Sequence, residues 1–286
     1  MAEIKKKIKL TEFAKITSVR VTEDKGVHLE WTPVKYAEKY VIKRSTSPDG
    51  DFAVINNTAE LNFTDTTADL DIRYWYKIVA WRWLDAKKGS TTESAIKPAT
   101  VSDIPSVKNL KAEERDRKIY LSWDKGENDR FIIYKTCDYF STIMSIIETT
   151  DCSFCDEAPV SGQAYHYTVQ PVKATDEKEL YGSFSEEVSG VFMDTTEIRS
   201  IRKIIGKKAL INVRVIAGAD GYIFERCDKK DGEFTEVGRT NDITKVNFED
   251  KLPSRLTAYG YRVCAYKKIG DKEFKGKYSE IKYIKM

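Results

Sequence analysis

Three times in this chain, and at one fixed distance, a Phe-x-Asp step is followed by a Tyr-x-Tyr run. Asn62-Phe63-Thr64-Asp65 leads to Tyr74-Trp75-Tyr76-Lys77-Ile78-Val79-Ala80. Ser153-Phe154-Cys155-Asp156 leads to Tyr165-His166-Tyr167-Thr168-Val169-Gln170-Pro171. Asn247-Phe248-Glu249-Asp250 leads to Tyr259-Gly260-Tyr261-Arg262-Val263-Cys264-Ala265. The spacing is 11 residues each time, from Phe63 to Tyr74, Phe154 to Tyr165 and Phe248 to Tyr259. The preceding halves match too: Leu29-Glu30-Trp31 with Tyr40-Val41-Ile42, Leu121-Ser122-Trp123 with Phe131-Ile132-Ile133, and Ile211-Asn212-Val213 with Tyr222-Ile223-Phe224. A repeat of about 90 residues makes the chain an array of one structural unit.

That unit reads as β structure. Tyr74, Tyr76, Ile78 and Ala80 alternate with Trp75, Lys77, Val79 and Trp81, and a period of two sends one set to the core and the other outward. The runs are rich in Val, Ile, Tyr and Trp, which suit a pleated surface. Turn residues separate them at Asp24-Lys25-Gly26, Pro48-Asp49-Gly50, Asp231-Gly232 and Ile269-Gly270-Asp271. Helical periodicity is not sustained anywhere; one short helical turn is expected near Thr142–Ile147.

A length of 286 residues suggests about two domains by size alone, and three sandwiches of roughly 90–100 residues fit equally well. Hydrophobic residues at 41% are enough for packed cores. The 48 basic and 45 acidic residues nearly cancel, to a net charge of +3, so no basic stripe marks a nucleic-acid partner. No apolar run approaches the ~20 residues of a membrane span. Lys5, Lys6, Lys7 and Lys9 near the start precede no apolar core of a signal peptide, so no membrane insertion, signal or anchor is expected in this chain, and the cluster reads as a solvated arm. Five cysteines, Cys137, Cys152, Cys155, Cys227 and Cys264, are too few and too scattered for a disulfide framework.

These residues resemble the fibronectin type III family over almost the whole chain. Trp31 and Trp123 match its strand B, and Tyr40, Phe131 and Tyr222 its strand C. Tyr74, Tyr165 and Tyr259 look like its tyrosine corner, and Phe184-Ser185 and Tyr278-Ser279 look like openings of its last strand. Trp31-Thr32-Pro33 with Ala37-Glu38-Lys39-Tyr40, and Ala219-Asp220-Gly221-Tyr222, look like the bacterial surface-protein branch. Val213 departs from the pattern, standing where Trp is expected. The resemblance implies an all-β fold of three tandem immunoglobulin-like β-sandwiches forming an elongated rod, with an arm at residues 1–14 and domains at 15–102, 103–195 and 196–286. The short linkers near 97–105 and 194–197 imply limited hinge motion.

The candidate chemistry resolves into structural roles. Cys152-Ser153-Phe154-Cys155 has metal or redox spacing but no second ligand pair; on a strand it puts Cys152 and Phe154 inward and Cys155 outward. Cys227 and Cys264 fall on the outer face of repeat three, a few residues out of line for a disulfide. His28 and His166 read as solvated strand residues with no nucleophile beside them. Asp65, Asp156 and Asp250 recur at one position, where a turn-capping hydrogen bond explains them better than calcium, which needs more oxygens. No cofactor or metal is expected, and no catalytic residue, so the chain reads as a non-enzyme.

One feature points to binding. The outward positions Trp75, Lys77, Val79, Trp81 and Trp83 form an aromatic stripe in repeat one that repeats two and three lack. Such a stripe marks an interaction surface unless stems such as Lys43, Arg82 and Lys87, the arm or a neighbouring domain cover it. Three readings follow. The first is a binding or spacer module of a bacterial cell-surface or secreted protein, with a protein or glycan partner. The second is a structural or decoration component of a phage-type extracellular particle, which fits a homo-oligomer. The third is a carbohydrate-binding accessory of a polysaccharide-degrading enzyme, stacking sugars on Trp75, Trp81 and Trp83.

Overall fold

The computed structural model describes residues 8–84, 89–138, 140–176, 179–229, 232–253 and 258–285, and of residues 140–143 the backbone only. Lys5, Lys6, Lys7, Lys87 and Asp231 lie outside the described residues. The described residues contain strands and no helix. Repeat one supplies β1 (Ile16–Val21), β2 (Val27–Trp31), β3 (Lys39–Ser45), β4 (Ala53–Thr58), β5 (Asn62–Asp65), β6 (Arg73–Trp83), β7 (Gly89–Glu93) and β8 (Lys97–Thr100). Repeat two supplies β9 (Lys111–Arg115), β10 (Lys118–Ser122), β11 (Arg130–Cys137), β12 (Phe140–Thr149), β13 (Ser153–Asp156), β14 (Ala164–Ala174), β15 (Glu179–Tyr181) and β16 (Val188–Val191). Repeat three supplies β17 (Ile198–Ile204), β18 (Lys208–Val213), β19 (Gly221–Cys227), β20 (Thr235–Thr240), β21 (Asn247–Lys251), β22 (Ala258–Ile269), β23 (Lys272–Lys275) and β24 (Lys282–Lys285).

Each repeat builds the same two sheets. The three-stranded sheets run β1-β2-β5, β9-β10-β13 and β17-β18-β21. The five-stranded sheets run β4-β3-β6-β7, β12-β11-β14-β15 and β20-β19-β22-β23, with β8, β16 and β24 pairing the long central strand of their own sheet. The fold is all-β, an array of tandem immunoglobulin-like sandwiches, as the repeat predicted. The segment expected as a helical turn near Thr142–Ile147 is instead part of β12. Ile146 and Ile147 sit opposite Tyr134 and Ile133, and a ladder of this kind overrides a weak local preference.

A serine explains why the last strand of each five-stranded sheet is broken. The Ser94 N–H donates to the Ile78 carbonyl (2.8 Å) while its Oγ accepts from the Ile78 N–H (2.9 Å). Ser185 does the same to Val169 (2.9 and 2.9 Å), and Ser279 to Val263 (2.8 and 3.1 Å). The side chain stands in for a ladder carbonyl, so the strand bends without orphaning a buried donor.

By packing, the chain divides into two compact units. One comprises residues 1–111, 121–154 and 166–188, the other 112–120, 155–165 and 189–286. In the first unit, the core of repeat one gathers Val27, Leu29, Trp31, Tyr76, Ile78 and Ala80 between its two sheets. Leu10 and Ala14 of the expected arm are buried in this core, and Leu10 and Glu12 hydrogen-bond Ser90 and Thr92. In the second unit, the core of repeat three is built on Ile211, Val213, Tyr222, Phe224 and Tyr261 and extends to Ala164, Val191 and Met193. Val213, standing where tryptophan was expected, is buried in this core.

Candidate interaction surface

The outward face of β6 is where sequence reasoning placed the aromatic stripe, and its two halves have different fates. Trp75 is only 2% exposed. Its ring packs with Ile96 of repeat one against Ile132, Tyr134 and Val172 of repeat two, all within the first unit. Arg73 stacks on Tyr181 (4.9 Å) and donates to the Tyr134 hydroxyl. Gln170 closes the polar side: its Nε2 donates to Thr100 Oγ1 (3.0 Å) and the Gly182 carbonyl (2.9 Å), and its Oε1 accepts from Tyr134 (3.1 Å). Burial pushes the Tyr134 hydroxyl up to about 12, against the nearby Arg73 charge. Val79 is buried as well. Lys77 lies over Phe52 (4.6 Å) and pairs with Glu93 (2.9 Å). Trp75, Val79 and Lys77 therefore form no open stripe: residues of repeat two cover the first, the second is buried, and the third has a carboxylate partner.

The far end of β6 stays open. Trp81 and Trp83 meet edge to face, centroids 4.4 Å apart at 86°, and Trp83 is 50% exposed. The Lys39 ammonium sits 4.6 Å from the Trp81 centroid. A Cβ on Gly89 would lie 3.0 Å from the Trp81 indole nitrogen, so the glycine makes room for the ring. Glu38 anchors the loop before β3 by donating its N–H to the Trp81 carbonyl (2.9 Å) and accepting from the Trp83 N–H (3.3 Å). In that loop Tyr36 is exposed and holds φ +70°, a conformation that non-glycine residues adopt at a cost. Lys35 and Arg82 both approach its ring, at 5.2 and 5.5 Å. Among the described residues neither Lys35 nor Lys39 makes an ion pair. The corner thus joins three aromatic rings to free ammonium groups. Tyr36 and Lys35, in the loop before β3, and Lys39, the first residue of β3, escaped the sequence reading because they lie outside the alternating strand β6.

The remaining candidates are structural. Asp65 accepts from the Thr67 N–H and hydroxyl (2.9 and 2.7 Å), from Arg44 (2.7 Å) and from the Tyr76 hydroxyl (2.8 Å). Burial alone pushes its carboxyl up, but these donors outweigh burial and hold it below its ordinary value. Asp250 accepts from Arg226 (2.7 Å) and Tyr261 (2.5 Å) in the same way. The turn-capping role was legible, whereas the arginine and tyrosine partners were not. Tyr74 and Tyr165 form their corner bonds five residues back, to Asp69 (2.7 Å) and from the Val160 N–H (3.0 Å).

Cys152 is exposed rather than inward. It precedes β13, and its carbonyl is taken by the Trp123 N–H (3.1 Å), so strand alternation does not apply to it. All five cysteines are free. Cys264 sits opposite Ile223, and Cys227 opposite Gly260, too far along the strands to bond. Both are buried rather than at an open face, and burial pushes the Cys264 thiol up to about 11. The histidines are not solvated either. His28 bonds Thr64 (2.8 Å) and Glu30 (3.2 Å), while His166, with its side chain 12% exposed, lies 3.1 Å from Asp138 and 3.6 Å from Glu187. The hydrogen bond to His166, with Lys15 nearby, lowers the Asp138 carboxyl to about 2. Among the described residues no three acidic, histidine or cysteine side chains cluster as metal ligands, and no helix is long and apolar enough to cross a membrane.

Neither a protein-family model nor a curated protein sequence matches the chain. Among solved structures it is similar to the FN1–FN3 domains of chicken CNTN1, with 14% identity over 96% of this chain and 99% of that one and a TM-score of 0.32. It is also similar to a two-domain fibronectin type III segment of chicken tenascin, with 15% identity over 63% of this chain and 99% of that one and a TM-score of 0.38.

Proposed function

We propose that the chain is a non-catalytic binding and spacer module, set in a secreted or cell-surface protein, that presents the Tyr36–Trp81–Trp83 corner to a protein or glycan partner. The observation that carries this reading is the division of the β6 tryptophans: Trp75 is sealed into a joint while Trp83 is held half-exposed on the same strand. A tryptophan kept open on a rigid strand beside free ammonium groups offers an apolar anchor and a charge at once. The backbone strain at Tyr36 is of the sort retained at contact sites. The spacer half rests on the joint within the first unit, which is packed like a core and so resists hinging. In this reading residues 15–102, 103–195 and 196–286 are three modules, and the chain carries no reaction of its own. The surface-protein likeness of Trp31-Thr32-Pro33 supports the setting.

The test is a screen of wild-type protein against immobilised glycans and cell-surface proteins, repeated with Trp83→Ala and Lys39→Ala. Any ligand retained by the wild type should bind at least about tenfold more weakly to Trp83→Ala, about the 1.4 kcal/mol scale of a modest interface contact, with no change in thermal unfolding. Equal binding by all three proteins, or no ligand retained by the wild type, would remove this reading.

A further inference from the structure

The hairpin joining the first two strands has a different tip in one repeat of the three. In repeat one, β1 and β2 meet through Glu23, Asp24 and Lys25, and in repeat two, β9 and β10 meet through Asp116 and Arg117. Both tips mix acid with base and carry no large apolar side chain. In repeat three, β17 and β18 meet through Ile205, Gly206 and Lys207. From Ile198 to Ala219 the chain has six basic residues and no acidic one. The whole protein carries only +3, so this bias is local.

Ile205 is 97% exposed, against 63% for the next large apolar side chain among the described residues. The turn holds it there. Ile204 pairs with Lys208 in the ladder, and Gly206 and Lys207 reverse the chain at φ +88° and +58°. The Leu252 N–H donates to the Lys207 carbonyl (2.9 Å), which ties the turn to the rest of the repeat. Among the described residues the side chains of Arg199, Arg202, Lys203 and Lys207 make no ion pair. The carboxylates of the neighbouring strand β21 are already taken: Glu249 by Lys208 (2.8 Å), and Asp250 by Arg226 (2.7 Å) and Tyr261 (2.5 Å). Lys282 of β24 adds another ammonium beside β17, where its Nζ donates to the Arg199 carbonyl (3.4 Å).

A single exposed isoleucine needs no explanation. One projecting from a turn among unpaired bases is a different arrangement, because water favours neither the bare side chain nor the crowding of like charges. We propose that the β17–β18 hairpin docks on an anionic lipid surface. Ile205 dips into the boundary between headgroups and acyl chains, while Arg202, Lys203 and Lys207 meet the headgroup charges. The contact is peripheral: one side chain enters and no segment spans. A soluble polyanion would answer the charges but leave Ile205 in water, so a lipid surface is the occupant that uses both features. Each base held at such a surface raises affinity about fivefold. The Trp83 corner belongs to repeat one, and binding there could fail without affecting this contact.

The experiment is cosedimentation of the full chain with vesicles of phosphatidylcholine alone and of phosphatidylcholine with roughly 30% phosphatidylserine. The wild type should sediment with the second and not the first, and should release at about 1 M salt, where charges are screened beyond about 3 Å. Ile205→Ser should weaken binding at least about tenfold. Arg202→Glu with Lys203→Glu should weaken it at least about thirtyfold, two steps of about fivefold each. Val215→Ser, at another exposed apolar position of repeat three, should bind as wild type. All these positions are exposed, and circular dichroism confirms that the variants fold. A wild type that ignores phosphatidylserine vesicles, or a charge-reversed variant that binds them unchanged, overturns the proposal. So does full binding by Ile205→Ser, which would make the hairpin a general polyanion surface, for a sulfated glycan or a nucleic acid, rather than a lipid site.

Discussion

Trp75 of β6 meets Tyr134 of β11 edge to face, with ring centroids 5.8 Å apart and planes at 67°, and this contact ties repeat one to the five-stranded sheet of repeat two. Trp75→Ala should lower stability by about 3–5 kcal/mol, the cost of truncating a buried aromatic ring. Trp83→Ala, at an exposed position, should stay within about 0.5 kcal/mol. Urea titration followed by far-UV circular dichroism separates the two. Equal losses would mean that Trp75 is not part of a packed joint.

Asp65 makes stability depend on acid. Its folded pKa lies below the unfolded value, so folding favours the carboxylate. Its contribution is complete above about pH 4, the unfolded value, and is lost as pH falls through the lower folded value. Asp65→Asn should cost roughly 3 kcal/mol at pH 7, since it strands the half-buried Arg44, and should flatten the decline in stability below pH 4. Melting temperatures from pH 7 to pH 2 test both parts; an unchanged acid slope would count against the network.

Gly218 and Gly162 bring two backbones together within the second unit. A Cβ on Gly218, at φ +76°, would lie 2.5 Å from the Gly162 carbonyl oxygen. Gly206, at φ +88°, has nothing within 4 Å of the same point. Both Ala variants carry the penalty of positive φ, about 1 kcal/mol. Gly218→Ala should cost distinctly more, because its methyl must also separate the two chains. Matching melting curves for the two variants would rule out the close approach.

Ser185→Ala should cost about 1–3 kcal/mol, because the buried Val169 N–H loses its acceptor, and Ser94→Ala and Ser279→Ala should cost similar amounts. Amide exchange at Val169 gives a second readout, with protection expected to fall in the Ser185 variant. Full protection in that variant would show that another acceptor serves the amide.

The alternation of Tyr74, Tyr76, Ile78 and Ala80 with Trp75, Lys77, Val79 and Trp81 determined the core of repeat one directly, because side-chain direction along a strand is a property of the backbone. The recurring Phe-x-Asp likewise announced a turn-capping aspartate, as Asp65 shows, and the 11-residue spacing announced the repeated array. What the outward residues meet was a different matter. Trp75 and Trp83 have the same strand position modulo two, yet one is sealed and the other open, because a sheet from the next repeat covers only part of β6. His166 occupies the position of Trp75 and finds Asp138 and Glu187 there. The loop that brings Tyr36 to the Trp81 corner is also invisible in local pattern. Periodicity fixes which face a residue takes, since that depends on its own chain alone. Only the tertiary structure decides what lies across from that face, since this depends on residues distant in sequence and on how the sheets pack.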